Sequence, residues 1–434
     1  MVQQDTAIQT DVNIANSECP RENTTELFNQ TFSNTQFDWS PMEVNIILSS
    51  YFYTYTILPP ICGVVVENLS PSKTLIWSKL IHGGLTCFIP LLCPYGPIFV
   101  IISRAVMGVS AAFTFPATFA LLKRIAQNTE VALASNLFYT MIGVGSVIAP
   151  MLAGWLCSNT QFGGWQMSFY AAGGLEIIFV LVLGLFLPSL HSYEESYQNS
   201  NIEHPIASKT KDNSKFRVFL DWKVYCIAYS YFTFSTVQRL ASMMVPQYLS
   251  AVIHYPILDN GLLNAIPPLT YTIASFITNL ILSYVINKHY LTPRTTHCIF
   301  FTLFNILAFT VPFATRYIGC NGIFAIALFA IWIVFTSVCL TNVIAVMSHY
   351  SEHIAILSGI VTSFGNSAGF LIPILVDFFV AADISSSQNW INAFLAIGVL
   401  VLLGSLTFNL LLWVRNSNSY LLSSQFERQY SGLE

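Results

Sequence analysis

Five charged side chains stand inside long apolar runs of this sequence: Lys79, Arg104, Glu176, Arg239 and Asp377. A charge at the centre of a membrane-spanning helix costs about 2.5–3.5 kcal/mol on insertion scales, so each such residue needs an ion pair or a task. A guanidinium presents a bidentate fork to a carboxylate or phosphate. Arg104 is therefore either the fixed positive partner of an anion in a partly dehydrated cavity or half of a structural ion pair. For Arg239, substrate contact, snorkelling and interhelical pairing are all open. Glu176 is either a carboxylate that carries a coupling proton or the neutralising partner of Arg104 or Lys79. Lys79 stands near the end of its run and can snorkel, and Asp377 reads as a wetted helix end. Two uncharged polar stretches could line a path beside them: Thr336, Ser337, Thr341 and Asn342, then Ser358, Thr362, Ser363, Asn366 and Ser367. Tyr53 and Tyr55 are further candidates for substrate contact. Gly359, Gly365 and Gly369, like Gly143, Gly145 and Gly154 earlier, read as points of close helix approach.

The elements that hold these residues follow from composition. Charged residues make up 9% of the chain and hydrophobic ones 54%, against about 25% and 45–50% in an ordinary soluble domain. An all-α polytopic membrane protein is expected. Runs of spanning length lie near 45–66, 74–93, 97–123, 131–157, 166–188, 220–249, 260–287, 295–315, 322–347, 354–381 and 390–413, which predicts eleven spans. With the N-terminal tail outside, twelve basic residues fall in cytosolic segments and only Arg21 and Arg316 fall outside, the asymmetry expected of retained loops. The acidic tail lacks the basic and apolar regions of a signal peptide. It carries two glycosylation sequons, at Asn23 and Asn29, which need the lumenal side. The C-terminal Tyr430-Ser431-Gly432-Leu433 has the form read by a clathrin adaptor, which points to endolysosomal or vesicular membranes as well as the plasma membrane. Nine scattered cysteines show no metal or redox spacing, and helix packing is the expectation for them. A net charge of -4 gives no reason to expect a nucleic-acid partner.

The chain also repeats itself. Trp165-x-x-x-Phe169-x-Ala171-x-Gly173 returns 225 residues later as Trp390-x-x-x-Phe394-x-Ala396-x-Gly398. Pro150 is answered by Pro373, and Leu69-Ser70-Pro71 by Leu291-Thr292-Pro293, at nearly the same period. Two pseudo-repeated helical halves with a site between them are implied. The expected divisions are a tail 1–43, a first half 44–188, a linker 189–219, a second half 220–413 and a cytosolic tail 414–434. Five spans then face six. The span 220–249 has no counterpart in the first half, so either a first helix belongs before Met1 or the protein works with eleven.

Several stretches give the chain a family resemblance. Phe37-Asp38-Trp39-Ser40-Pro41, Ile47-Leu48-Ser49-Ser50-Tyr51-Phe52-Tyr53-Thr54-Tyr55, Arg104-Ala105-Val106-Met107-Gly108, Phe115-Pro116-Ala117, Gly164-Trp165, His204-Pro205-Ile206 and Pro246-Gln247-Tyr248-Leu249 with Gly261 to Pro267 keep the order and spacing of one branch of the major facilitator superfamily. That branch contains sialin, the vesicular glutamate transporters and the sodium-phosphate cotransporters, and the resemblance covers about residues 37–414. It implies the major facilitator fold, a missing first helix, and Arg104 in the place of the helix-four arginine. Its departures are informative. The superfamily's basic loop motif survives only as Gly63-Val64-Val65-Val66-Glu67-Asn68 with Lys73. Ala111 replaces an acidic residue, Leu48 a histidine of helix two and Phe234 an arginine of helix seven, departures that weigh against proton coupling and glutamate specificity without removing either. It implies secondary active transport of a small organic or inorganic anion by alternating access, coupled to sodium, protons or membrane potential, with no cofactor. The rival expectation is a truncated, non-transporting scaffold or regulator of a full-length relative. No cluster at catalytic spacing suggests an enzyme.

Overall fold

The structure, a computed structural model, describes residues 37, 39, 41–126, 131–158, 163–202, 211–253, 265–288, 293–350 and 353–413. The sequons at Asn23 and Asn29 and the sorting residues Tyr430 and Leu433 lie outside these residues. Among the described residues every regular element is a helix. The first half contains α1 (Pro41–Ile57), α2 (Pro59–Asn68), α3 (Pro71–Leu92), α4 (Pro97–Ala112), α5 (Thr114–Ile125), α6 (Val131–Ser158) and α7 (Trp165–Ile202). The second contains α8 (Lys211–Leu220), α9 (Trp222–Arg239), α10 (Val245–Ala251), α11 (Ile266–Asn287), α12 (Pro293–Ala314), α13 (Gly322–Tyr350), α14 (Ile354–Val380) and α15 (Ser387–Trp413).

Nine helices among the described residues are long and apolar enough to cross a membrane, α4 and α5 counting as one. The two remaining apolar runs are helical but broken. Proline lacks an N–H and clashes with the preceding turn, so Pro59 and Pro60 divide the run 45–66 into α1 and α2, although Cys62 N still donates to Leu58 O at 2.9 Å. The run 220–249 is interrupted by a π turn at Leu240–Met244, a local insertion often found at working sites. Helix also replaces part of the stretch read as linker, because α7 continues to Ile202 and α8 starts at Lys211.

The two halves use the repeated residues alike. In the first, α7 packs on α3, and a methyl on Gly173 would run into Gly83 O and Cys87. In the second, α15 packs on α12, and a methyl on Gly398 would run into Pro312. The last residue of the Trp-Phe-Ala-Gly pattern is thus the point of close helix contact in both copies. The entry to α15 is fixed by Trp390 Nε1 donating to Ile384 O at 2.9 Å. Nearby, hydrogen bonds from Ser385 hold the exposed Asp383 carboxyl below the usual carboxylate range.

Two seams join the halves. Along the first, α14 lies against α2, α1 and α5. Gly63 faces the Ala355 carbonyl, and Gly359 faces the Pro59 carbonyl. Ser363 Oγ donates to Thr56 O at 2.5 Å and Asn366 Nδ2 to Tyr55 O at 3.0 Å. Along the second, α6 meets α11, where Tyr271 OH donates to Tyr139 O at 3.2 Å and Gly143 faces Tyr271 and Thr272. Within the second half, α9 rests on α13, α14 and α15 together. Among the described residues no first-half helix rests in that way on α4–α5, α6 and α7.

Candidate functional site

The centre of the molecule is organised by α1. Residues four apart share a helix face, so Tyr51 and Tyr55 lie together with ring centroids 5.3 Å apart. Phe52 turns toward the second half, its ring 5.4 Å from that of Tyr51. Arg104 of α4 donates from Nε to Ile47 O at 2.8 Å and places its guanidinium 5.9 Å from the Tyr51 ring centroid. Arg239, at the end of α9, places its guanidinium 5.5 Å from the centroid of Phe52. Each half thus brings one arginine to adjacent aromatic rings, a placement in which cation–π attraction contributes about 0.5–2 kcal/mol. Arg239 Nε is buried and has no hydrogen-bond partner among the described residues. An unsatisfied buried donor of this kind is costly and calls for an explanation.

Glu176 settles into a different arrangement. On α3, Lys79 and His82 are three residues apart and face α7, where the absence of a side chain at Gly83 lets the Glu176 Cβ come close. Lys79 Nζ lies 3.3 Å from Oε1, and His82 Nδ1 lies 2.5 Å from Oε2. An ionised carboxylate only accepts, so the ring nitrogen carries the hydrogen. Glu176 therefore neutralises Lys79, not Arg104, and Lys79 is paired where snorkelling was expected. The His82 ring stands 6.1 Å from that of Tyr51 and links the pair to the arginine beneath that tyrosine. His82 was missed in the sequence, where its only signal was a position three residues after a lysine inside an apolar run.

Other candidates fall elsewhere. Tyr53 is 55% exposed on the far face of α1 and is not brought together with Tyr51 and Tyr55. Asn342 is fully buried inside the second half, with His297 Nδ1 at 2.7 Å from Oδ1 and Nδ2 donating to Val338 O at 2.8 Å. Both ends of its amide are occupied by protein. Thr336, Ser337 and Thr341 donate to carbonyls three or four residues earlier in their own helix, the usual local satisfaction of such hydroxyls. Thr362 is buried in α14 next to Ser363, on the seam between halves. Asp377 is exposed near the end of α14. Among the described residues no group of His, Cys, Asp or Glu could hold a metal. Among the described residues Cys320, in the turn before α13, is disulfide-bonded, where helix packing was the expectation.

The closed end of the first seam carries the remnant of the loop motif. Glu67 Oε1 accepts from Ala355 N at 3.3 Å, and Oε2 lies 3.5 Å from His353 Nδ1. A carboxylate at a helix N-terminus meets the positive end of its dipole. Of what survives of the motif in the sequence, Gly63 and Glu67 touch α14.

The family model of the Major Facilitator Superfamily matches residues 24–373. The chain belongs to the major facilitator superfamily. Among its curated relatives, the mouse "Probable small intestine urate exporter" is 22% identical over 411 residues, which cover 91% of this chain and 81% of that protein. Human "Sialin" is 22% identical, with 90% and 80% covered. The zebrafish "Vesicular glutamate transporter 2.2" is 25% identical, with 86% and 64% covered. The solved proton:xylose symporter XylE superposes with a TM-score of 0.67 at 11% identity, covering 91% of each chain, and shares the fold. This major facilitator protein is thus an integral membrane protein of a transporter superfamily, similar along most of its length to sialin, a vesicular glutamate transporter and a sodium-dependent phosphate transport protein.

Proposed function

We propose that this protein moves a small organic or inorganic anion by alternating access of its two halves, with Arg104 and Arg239 as the anion contacts. One observation carries the reading: each half contributes an arginine to neighbouring rings of α1, and the Arg239 Nε is buried without a partner among the described residues. An anionic oxygen placed there would satisfy it. Tyr55 stands beside them. Coupling to sodium or protons would act through Glu176, where a proton can pass between His82 Nδ1 and the carboxylate across 2.5 Å. The Cys320 disulfide supports an outward or lumenal placement of the turn before α13, since such bonds persist in oxidising compartments. That agrees with an outer N-terminal tail and a cytosolic C-terminus, in the plasma membrane or an endolysosomal or vesicular one.

The test is uptake of radiolabelled phosphate, glutamate, sialate and urate into proteoliposomes under imposed sodium, proton and voltage gradients. Losing a charged hydrogen bond costs about 1.5–3 kcal/mol, so Arg104→Ala and Arg239→Ala should each lower uptake by about ten- to a hundredfold. Equal uptake by wild type and variants removes the arginines from the mechanism. A second reading, a non-transporting scaffold or regulator of a related transporter, is favoured by the faces of α6 and α7 that no first-half helix among the described residues covers as α9 covers its neighbours. It gains if the folded protein takes up none of the four anions under any gradient.

A further inference from the structure

A groove of about 420 Å³ runs along the outside of the first half between α2, α3 and α4, away from the arginines. Its walls include Val65 of α2 and Leu69 just after it, Trp77 and Ile81 of α3, and Val106 and Val109 of α4, all exposed apolar side chains. The hydroxyls that reach it are already satisfied: Ser78 donates to Leu75 O, Ser110 to Met107 O and Thr74 to Ser70 O. The lining therefore presents carbon, and because α3 and α4 are spanning helices it borders the hydrocarbon of a bilayer. At one end stands Lys73, exposed, with no carboxylate within ion-pair distance among the described residues. An apolar trough with a single cation at its mouth fits an amphiphile with an acyl chain and a negative head.

We propose that this groove is a binding site for an anionic phospholipid, with the acyl chain along Trp77, Ile81 and Val109 and the phosphate head on Lys73. The position gives the lipid a consequence. The ten-residue α2 presents Val65, and its C-cap Leu69, to the groove, while Gly63, Val66 and Glu67 on its other side meet α14. A chain in the groove backs the helix that closes the seam, so an anionic lipid should favour the sealed arrangement.

Native mass spectrometry of the full chain, released from micelles containing equal phosphatidylglycerol and phosphatidylcholine with matched chains, tests this without reference to transport. A lysine near an anionic surface contributes about 1 kcal/mol, so the wild type should retain phosphatidylglycerol about fivefold over phosphatidylcholine. Lys73→Gln should abolish the preference and keep the chain. Val109→Trp, which fills the trough from an exposed position, should lower retention of both lipids, and Ile81→Trp repeats that test should the first variant fold poorly. Equal retention of the two lipids by wild type overturns the proposal, as does a preference unchanged in Lys73→Gln or retention unchanged in both tryptophan variants.

Discussion

Helices α7 and α15 begin with the same nine-residue pattern and make the same glycine contact, yet they live in different surroundings. In the apolar window of α7 only 11% of residues are buried, against 50% in that of α15. One large core, in which Trp332, Tyr248, Trp390, Phe394 and Phe408 are all sealed, lies mainly in the second half and reaches Phe119 and Tyr139 of the first, whose other buried residues form two small clusters. The cause is α9 with α10. Thr233 of α9 fits against Gly404 of α15, and Tyr248 of α10 stacks edge-on against Trp390 and Phe394. Nothing among the described residues does this for α7, whose Leu175, Ile178, Leu181 and Leu185 are exposed. The repeat therefore encodes how a helix pair packs, while burial depends on whether a further helix covers the pair.

The paired tryptophans give the largest expected contrast. Trp390 is 1% exposed, so Trp390→Ala should cost about 3–5 kcal/mol. Trp165 is half-buried against Phe37 and Phe169, and Trp165→Ala should cost about half as much. Reversible unfolding in mixed micelles measures both, and equal losses would mean that the first-half face is covered after all.

Glycines sharpen the same point at smaller scale. A methyl at Gly404 would press on Thr233, so Gly404→Ala should destabilise by about 1–3 kcal/mol. A methyl at Gly184 of α7 meets nothing within 4 Å, so Gly184→Ala should be neutral or stabilise by up to about 1 kcal/mol. A clear loss at Gly184 would place a hidden neighbour on α7.

The smallest effect is expected at Glu67. Removing a carboxylate from a helix N-terminus costs about 0.3–1 kcal/mol, so Glu67→Gln should raise the alkylation rate of the buried Cys62 by about two- to fivefold. An unchanged rate would show that the seam closes without it.

Much of this was legible in one sequence because its signals are local or periodic. Apolar runs located the helices, the repeat located the halves, and arginines inside such runs stood out at once. What stayed hidden was pairing across distance. His82 meets Glu176 from 94 positions away and His297 occupies Asn342 from 45. No local pattern distinguishes a polar residue held by such a partner from one that awaits a ligand. The hydroxyls of Thr336, Ser337 and Thr341 carry a related ambiguity: a helix can satisfy them with its own carbonyls, and the sequence does not say when it does.

The seam between α14 and the α1–α2 pair has an order to it. Its contacts pass from Glu67 with Ala355, through the facing glycines Gly63 and Gly359, to Ser363 with Thr56 and Asn366 with Tyr55. Such a line works as a zip fastener. Each tooth is weak, separation starts at an end, and the rate is governed by the hardest single tooth instead of the sum of all.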